Sequence, residues 1–125
     1  MIVGIGVDMV EIQRIKKACE KEAFLLRCFT SEENLLIAGS AAKAAGNFAV
    51  KEAVAKAFGT GFRNIKPAEI EVLRNPLGKP IVVLHGGAKA LACRLGIEYW
   101  HISLTDTEEL AQAFVIAENG KEQKR

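Results

Sequence analysis

The sequence predicts an α+β fold in a single small domain, a mainly antiparallel sheet packed with helices, and three observations carry that prediction. β-Branched runs stand near both ends of the chain, helical periodicity fills much of the stretch between them, and a Pro-Leu-Gly turn joins two strand-like segments after the midpoint. No long repeat, linker or low-complexity segment divides the 125 residues, so one domain spanning 1–125 is expected.

Ile2 to Val10 is β-branched with two glycines and reads as a strand that carries Asp8 near its end. From about Glu11 the period changes: Ile12, Ile15, Cys19 and Leu26 follow helical spacing, and Arg14, Lys17 and Lys21 form a basic stripe on another side. Thr30-Ser31-Glu32-Glu33 has the capping-box pattern and should open a short second helix. Gly39-Ser40 interrupts it, and Ser40 can cap a third helix running to about Phe58. In that helix Val50, Ala53, Val54, Ala57 and Phe58 keep the spacing of a buried stripe, which leaves Phe48, Glu52 and Lys56 on a different side. Gly59-Thr60-Gly61 stops it, and Lys66-Pro67 follows in a loop. Glu69 to Arg74 and Pro80 to Leu84 make a hairpin around Asn75-Pro76-Leu77-Gly78. A short helix from Gly86-Gly87 to Gly96 and two strands, Glu98 to Thr105 and Ala111 to Glu118, complete the fold; the polar tail from Asn119 should fray.

Composition excludes several function classes. Lys and Arg exceed Asp and Glu by only 17 to 15, and one Trp and one Tyr offer little for base stacking, so a nucleic-acid partner is not expected. Cys19, Cys28 and Cys93 lack CxxC spacing, which argues against zinc and against a disulfide framework; as residues on helical or apolar stretches they read as small core hydrophobes. No apolar run approaches the roughly 20 residues a bilayer needs, and the N-terminus lacks a basic leader, so a cytoplasmic protein with no membrane insertion is expected. A chain this short offers a large substrate little room, which favours clefts between subunits.

Spacing alone gives the chemistry-bearing residues ordinary roles. Glu52 and Lys56 are an i, i+4 pair worth a few tenths of a kcal/mol on a solvated face. Asp8 fits a turn or cap, and Gly59 fits a helix stop. A helix C-terminus repels phosphate, so phosphate binding beside Gly59 needs Lys51 and Lys56 to override that field. Mg²⁺, though, takes one or two protein carboxylates and completes its shell with water and phosphate oxygens, and Asp8 with Glu52 would suffice.

GIGVDMVEIQRI at 4–15, FTSEE at 29–33, FAVKEAVAKAFGTG at 48–61, NPLGKP at 75–80 and HISLTDTEELAQAFVI at 101–116 resemble the holo-acyl-carrier-protein synthases, small 4'-phosphopantetheinyl transferases. The likeness runs in order over nearly the whole chain, and the first and third blocks are specific jointly. It implies the phosphopantetheinyl transferase-like fold, transfer of the phosphopantetheine arm of coenzyme A to a serine of apo acyl carrier protein, release of adenosine 3',5'-bisphosphate, and a place in fatty acid biosynthesis. It implies Mg²⁺ on Asp8 and Glu52, catalysis by these two with Lys56, and coenzyme A along Phe48, Lys51, Lys56, Gly59, Thr60 and Gly61, with His101 as a further contact. It implies carrier docking at Arg14, with Lys17 and Lys21 beside it, and homotrimers with sites at subunit boundaries. Asn47 stands where many members have arginine, so a contact to coenzyme A is weakened or supplied elsewhere. The serine proton goes either to Glu52 or to a metal-bound water.

Two other classes compete. A non-catalytic adaptor using the basic stripe leaves Asp8 and the Lys-rich glycine segment without a purpose. A nucleotide- or RNA-binding module conflicts with the charge and the paucity of aromatics.

Overall fold

The computed structural model describes residues 1–120. In chain order it runs β1 (Ile2–Glu11), α1 (Ile12–Ala18), α2 (Glu22–Cys28), α3 (Ser31–Ile37), α4 (Ala41–Phe58), a 3-10 turn (Pro67–Glu69), β2 (Ile70–Arg74), β3 (Pro80–Leu84), α5 (Gly86–Leu95), β4 (Tyr99–Asp106) and β5 (Leu110–Glu118). The strands form two antiparallel sheets, β1-β5-β4 and the β2-β3 hairpin.

α4 is the centre of the molecule. Ser40 Oγ accepts from the Lys43 amide at 3.2 Å, and at the other end Gly59 takes φ +84°, a left-handed stop that glycine adopts without a Cβ penalty. The expected stripe of Val50, Ala53, Val54, Ala57 and Phe58 is buried, but so are Ala44, Ala45, Asn47, Ala49, Lys51 and Ala55. A helix covered on nearly all sides needs small residues where other backbones come close, and the alanines of α4 supply them.

The tightest approach is to β1. A Cβ on Gly4 would sit 2.1 Å from Ala57 O, and one on Gly6 would sit 1.9 Å from Ala53 O. The glycines of the first strand therefore let it lie directly on the helix backbone, and alternation puts Asp8 and Val10 on the same inner face. Ala113, Val115 and Ala117 of β5 and the half-buried Trp100, Ile102 and Leu104 of β4 continue that face into the core.

The outer face of the same sheet is apolar and open. Ile5 (59 % exposed), Val7 (46 %) and Met9 (55 %) stand beside Phe114 (42 %), which pairs across from Val7. Exposed apolar surface of this kind is the sort that interaction sites use.

The expected first helix is two helices. The chain turns at Cys19 to Lys21 through short-range bonds from Glu20 N to Lys17 O and from Lys21 N to Ala18 O. The turn lets Phe24 swing onto Phe29 and Phe48, at ring separations of 6.0 and 5.8 Å. It also leaves Leu26, expected on the apolar stripe, exposed, and places Lys21 in extended backbone before α2. The capping box at Thr30 and Glu33, the hairpin and the α5 stop at Gly96 are as the sequence predicts. Cys28 is buried and Cys19 half-buried, whereas Cys93 is exposed on α5 and is no core residue. Of the tail, Asn119 and Gly120 are tied to Met1 and Glu98; the rest lies outside the described residues.

Candidate active site

Asp8 reaches the site because the two glycines before it seat β1 on α4. Its inner-face position brings it to the Lys56 side chain, whose Nζ donates to Asp8 Oδ1 at 3.1 Å and to Val7 O at 2.9 Å. Asp8 is 16 % exposed and Lys56 54 %, so the ion pair sits at the lip of the site with the lysine in solvent. One turn back on α4, Glu52 and, one turn further, Phe48 line a cavity of about 580 Å³ together with Asp8. Arg14 of α1 enters it from the other side, and Phe24 and Leu110 supply apolar wall.

Glu52 is the electrostatically strained group of this cavity. Burial, then the Asp8 carboxylate, push the Glu52 carboxyl above its usual range, while Lys56 and Arg14 pull it back. A carboxylate whose ionisation is made costlier by burial and by a neighbouring carboxylate is relieved by a cation beside it. The donors are all oxygens, and among the described residues no cluster of three or more His, Cys, Asp or Glu side chains is placed to hold a metal by itself. Such a pair suits a hard cation that finishes its shell with water and a substrate oxygen.

Other expected site residues lie elsewhere. Lys51, expected along coenzyme A, is fully buried on the opposite flank of α4; Nζ donates to Glu33 Oε1 at 2.7 Å, to Pro67 O at 3.0 Å and to Ile70 O. Its three donors are spent, which leaves none for a phosphate. Asn47 is in the same network, donating to Glu33 Oε2 at 3.0 Å and Val72 O at 2.9 Å, so its side chain also points inward. His101 is exposed on the outer face of β4, opposite in the sheet to Asp8, with Nε2 2.8 Å from Glu118 Oε1. Within one chain it does not meet the cavity. Gly59 and Thr60 are exposed beyond α4 and Gly61 is half-buried; Gly59 and Gly61 both hold positive φ with open space where a Cβ would stand. Lys17 and Lys21 are exposed and line no part of the cavity: Lys17 shares α1 with Arg14 but does not reach the cavity, and the break after α1 sets Lys21 apart from both.

Sequence reasoning missed Phe24 and Leu110 as cavity wall and gave Arg14 a surface role alone. A signal for Arg14 was present: a strand ending at Glu11 and a helix starting at Ile12 put residue 14 in the first turn after the strand that carries Asp8. Phe24 had none, because its position depends on the unsignalled turn at Cys19 to Lys21.

A small α+β domain that sets two carboxylates and a lysine around an open cavity is, by fold and site, of a class suited to a phosphate-bearing substrate and a divalent cation. Residues 4–116 match the 4'-phosphopantetheinyl transferase superfamily, and the chain belongs to it. A holo-[acyl-carrier-protein] synthase of Lachnoclostridium phytofermentans is 56 % identical over 118 residues, covering 94 % of this chain and 97 % of that one. The holo-[acyl-carrier-protein] synthase of Neisseria meningitidis superposes with a TM-score of 0.85 at 36 % identity, covering 95 % of this chain and all of the other. That of Bacillus anthracis, solved in complex with coenzyme A (3',5'-ADP), gives 0.80 at 33 %, covering 96 % and 99 %.

Proposed function

We infer that the cavity around Asp8 and Glu52 performs the reaction of this family: it transfers the 4'-phosphopantetheine arm of coenzyme A to a serine of apo acyl carrier protein, in fatty acid biosynthesis. The observation that carries the residue assignment is the convergence of Asp8, Glu52 and Lys56 from two elements packed backbone to backbone. The serine oxygen forms a bond to the β-phosphorus of coenzyme A, and the bond from that phosphorus to the bridging oxygen breaks, releasing adenosine 3',5'-bisphosphate. Lys56, half in solvent, faces the negative charge that builds on the leaving group. Glu52 is the chain's own group placed to take the serine proton. Phe48 and Phe24 give the arm an apolar wall.

Asp8 and Glu52 would hold Mg²⁺. When bound, the ion supplies positive charge against the diphosphate, the central electrostatic need of this reaction. Coenzyme A extends along Lys56 and the Gly59-Thr60-Gly61 turn. Arg14 meets the acidic carrier at the cavity mouth, with Lys17 and Lys21 as outlying charges. The working form is a homotrimer in the cytoplasm. Its support is the open apolar face of Ile5, Val7, Met9 and Phe114 and the position of His101 on that same face, where only a second copy can bring it to a site.

Incubation with coenzyme A, Mg²⁺ and an apo carrier, followed by intact mass, tests the reaction. The carrier gains one phosphopantetheine arm; a carrier of unchanged mass overturns the reading. Sedimentation separately tests the trimer, and a monomer at micromolar concentration would remove it.

A further inference from the structure

α1 has a second cavity on its other side. Arg14, Ile15 and Ala18 line the one that holds Asp8, whereas Lys16 and Cys19 line another of about 440 Å³. The same division runs through the neighbouring helices: Phe24 and Phe48 face the first cavity, and Leu25, Ala41 and Ala44 face the second. The second falls in the size range of small-molecule sites.

Its chemistry is restricted. Cys19, Leu25, Ile37, Ala38, Ala41 and Ala44 make a mainly aliphatic wall with no aromatic ring, and Asn34 and Ser40 are its uncharged polar residues. Lys16 is the one charged residue lining it, and no carboxylate offsets that charge within the cavity. Small, branched and sulfur-bearing side chains around a slot with a cation at its edge complement a flexible chain that ends in an anion. Burial of successive methylenes adds to affinity, so a chain of eight carbons is a fitting probe.

We propose that this cavity is a binding site for a medium-chain aliphatic carboxylate, with the hydrocarbon between α1, α2, α3 and the start of α4 and the carboxylate on the Lys16 ammonium. The site is separate from the transferase cavity, and its occupancy does not depend on the function assigned there.

Cys19 reports on it directly. In the full chain, octanoate should slow alkylation of Cys19, resolved by peptide mapping, at least fivefold, while the exposed Cys93 is unaffected and serves as the internal control. Lys16→Glu, a change on an exposed residue, should raise the concentration needed about tenfold. Ala41→Leu fills the slot and should abolish protection. Octan-1-ol, which keeps the chain and lacks the charge, should need several-fold more than octanoate. Equal slowing of Cys19 and Cys93, no slowing at all, protection that survives Ala41→Leu, or octan-1-ol matching octanoate would each overturn the proposal.

Discussion

Lys51 and Glu52 are consecutive on α4, and their surroundings are opposite. Lys51 is sealed among Glu33, Asn47 and the carbonyls of Pro67 and Ile70, with its Nζ also 5.3 Å from the centre of the Phe29 ring. Glu52 looks into an open cavity beside another carboxylate. On the sealed side burial raises Glu33 and lowers Lys51, and each opposes that shift in the other by pairing. On the open side the nearest acid worsens the position of Glu52. A charge whose bonds are complete holds helices together; a charge left short is completed by whatever binds.

The largest expected effect breaks the sealed side. Lys51→Met leaves Glu33 buried without its cation, and such a deletion costs about 3–5 kcal/mol in chemical denaturation. Glu33→Gln with Lys51→Met removes both charges and should recover a good part of that loss. If the single change costs less than about 1 kcal/mol, Lys51 is not structural in the way argued.

On the open side the effect should appear in rate instead. Glu52→Gln should lower carrier modification on the order of a hundredfold. Stability should hold or rise at neutral pH: a carboxyl with a raised folded pKa is penalised when ionised, so removing that charge relieves the fold. Near-normal transfer by this variant would sink the catalytic assignment.

Glu71 links the sealed network to the surface and gives a smaller effect. Burial raises its carboxyl, but the Thr30 hydroxyl and His85 outweigh that, and the net shift is downward. A depressed carboxyl contributes stability that is complete above its unfolded pKa, about 4.3, and is lost as pH falls through the lower folded value. Thr30→Ala removes both that donor and the α3 cap, and should cost about 1 kcal/mol at neutral pH. Its midpoint of acid unfolding should move upward; an unmoved midpoint would show that Glu71 does not draw on Thr30.

Local signals were readable in the chain and long-range ones were not. Thr30 and Glu33 are three apart, so their capping box is written in four letters, and Asn75 to Gly78 announces the hairpin equally well. The spacing of Phe48, Glu52 and Lys56 also separated the open side of α4 from its buried stripe correctly. Nothing local says that Lys51 is the buried member of a Lys-Glu dipeptide, because its partner lies 18 residues back and its carbonyl acceptors 16 and 19 ahead. The turn at Cys19 to Lys21 carries no Gly or Pro, and the contacts of Phe24 with Phe29 and Phe48 that accompany it join residues outside that turn. The outward row of Ile5, Val7 and Met9 alternates with glycines whose need for close approach appears only once α4 lies over them.

The smallest effects test where the open side ends. Arg14 lines the cavity and its charge lowers the cost of ionising Glu52; Lys21 lies beyond the turn and touches neither. At low salt Lys21→Glu should raise the KM for the carrier about two- to fivefold and leave kcat alone, because an exposed contact contributes little and acts through encounter. Arg14→Glu should raise that KM as well, and also lower kcat, since it adds an anion beside two carboxylates. Near 0.5 M salt the KM effects should shrink for both, the screening length having fallen to about 4 Å, while the kcat effect of Arg14→Glu persists inside the cavity. A carrier KM indifferent to both substitutions at low salt would remove docking from α1 and its following turn, and a kcat unchanged by Arg14→Glu would put Arg14 with the surface charges.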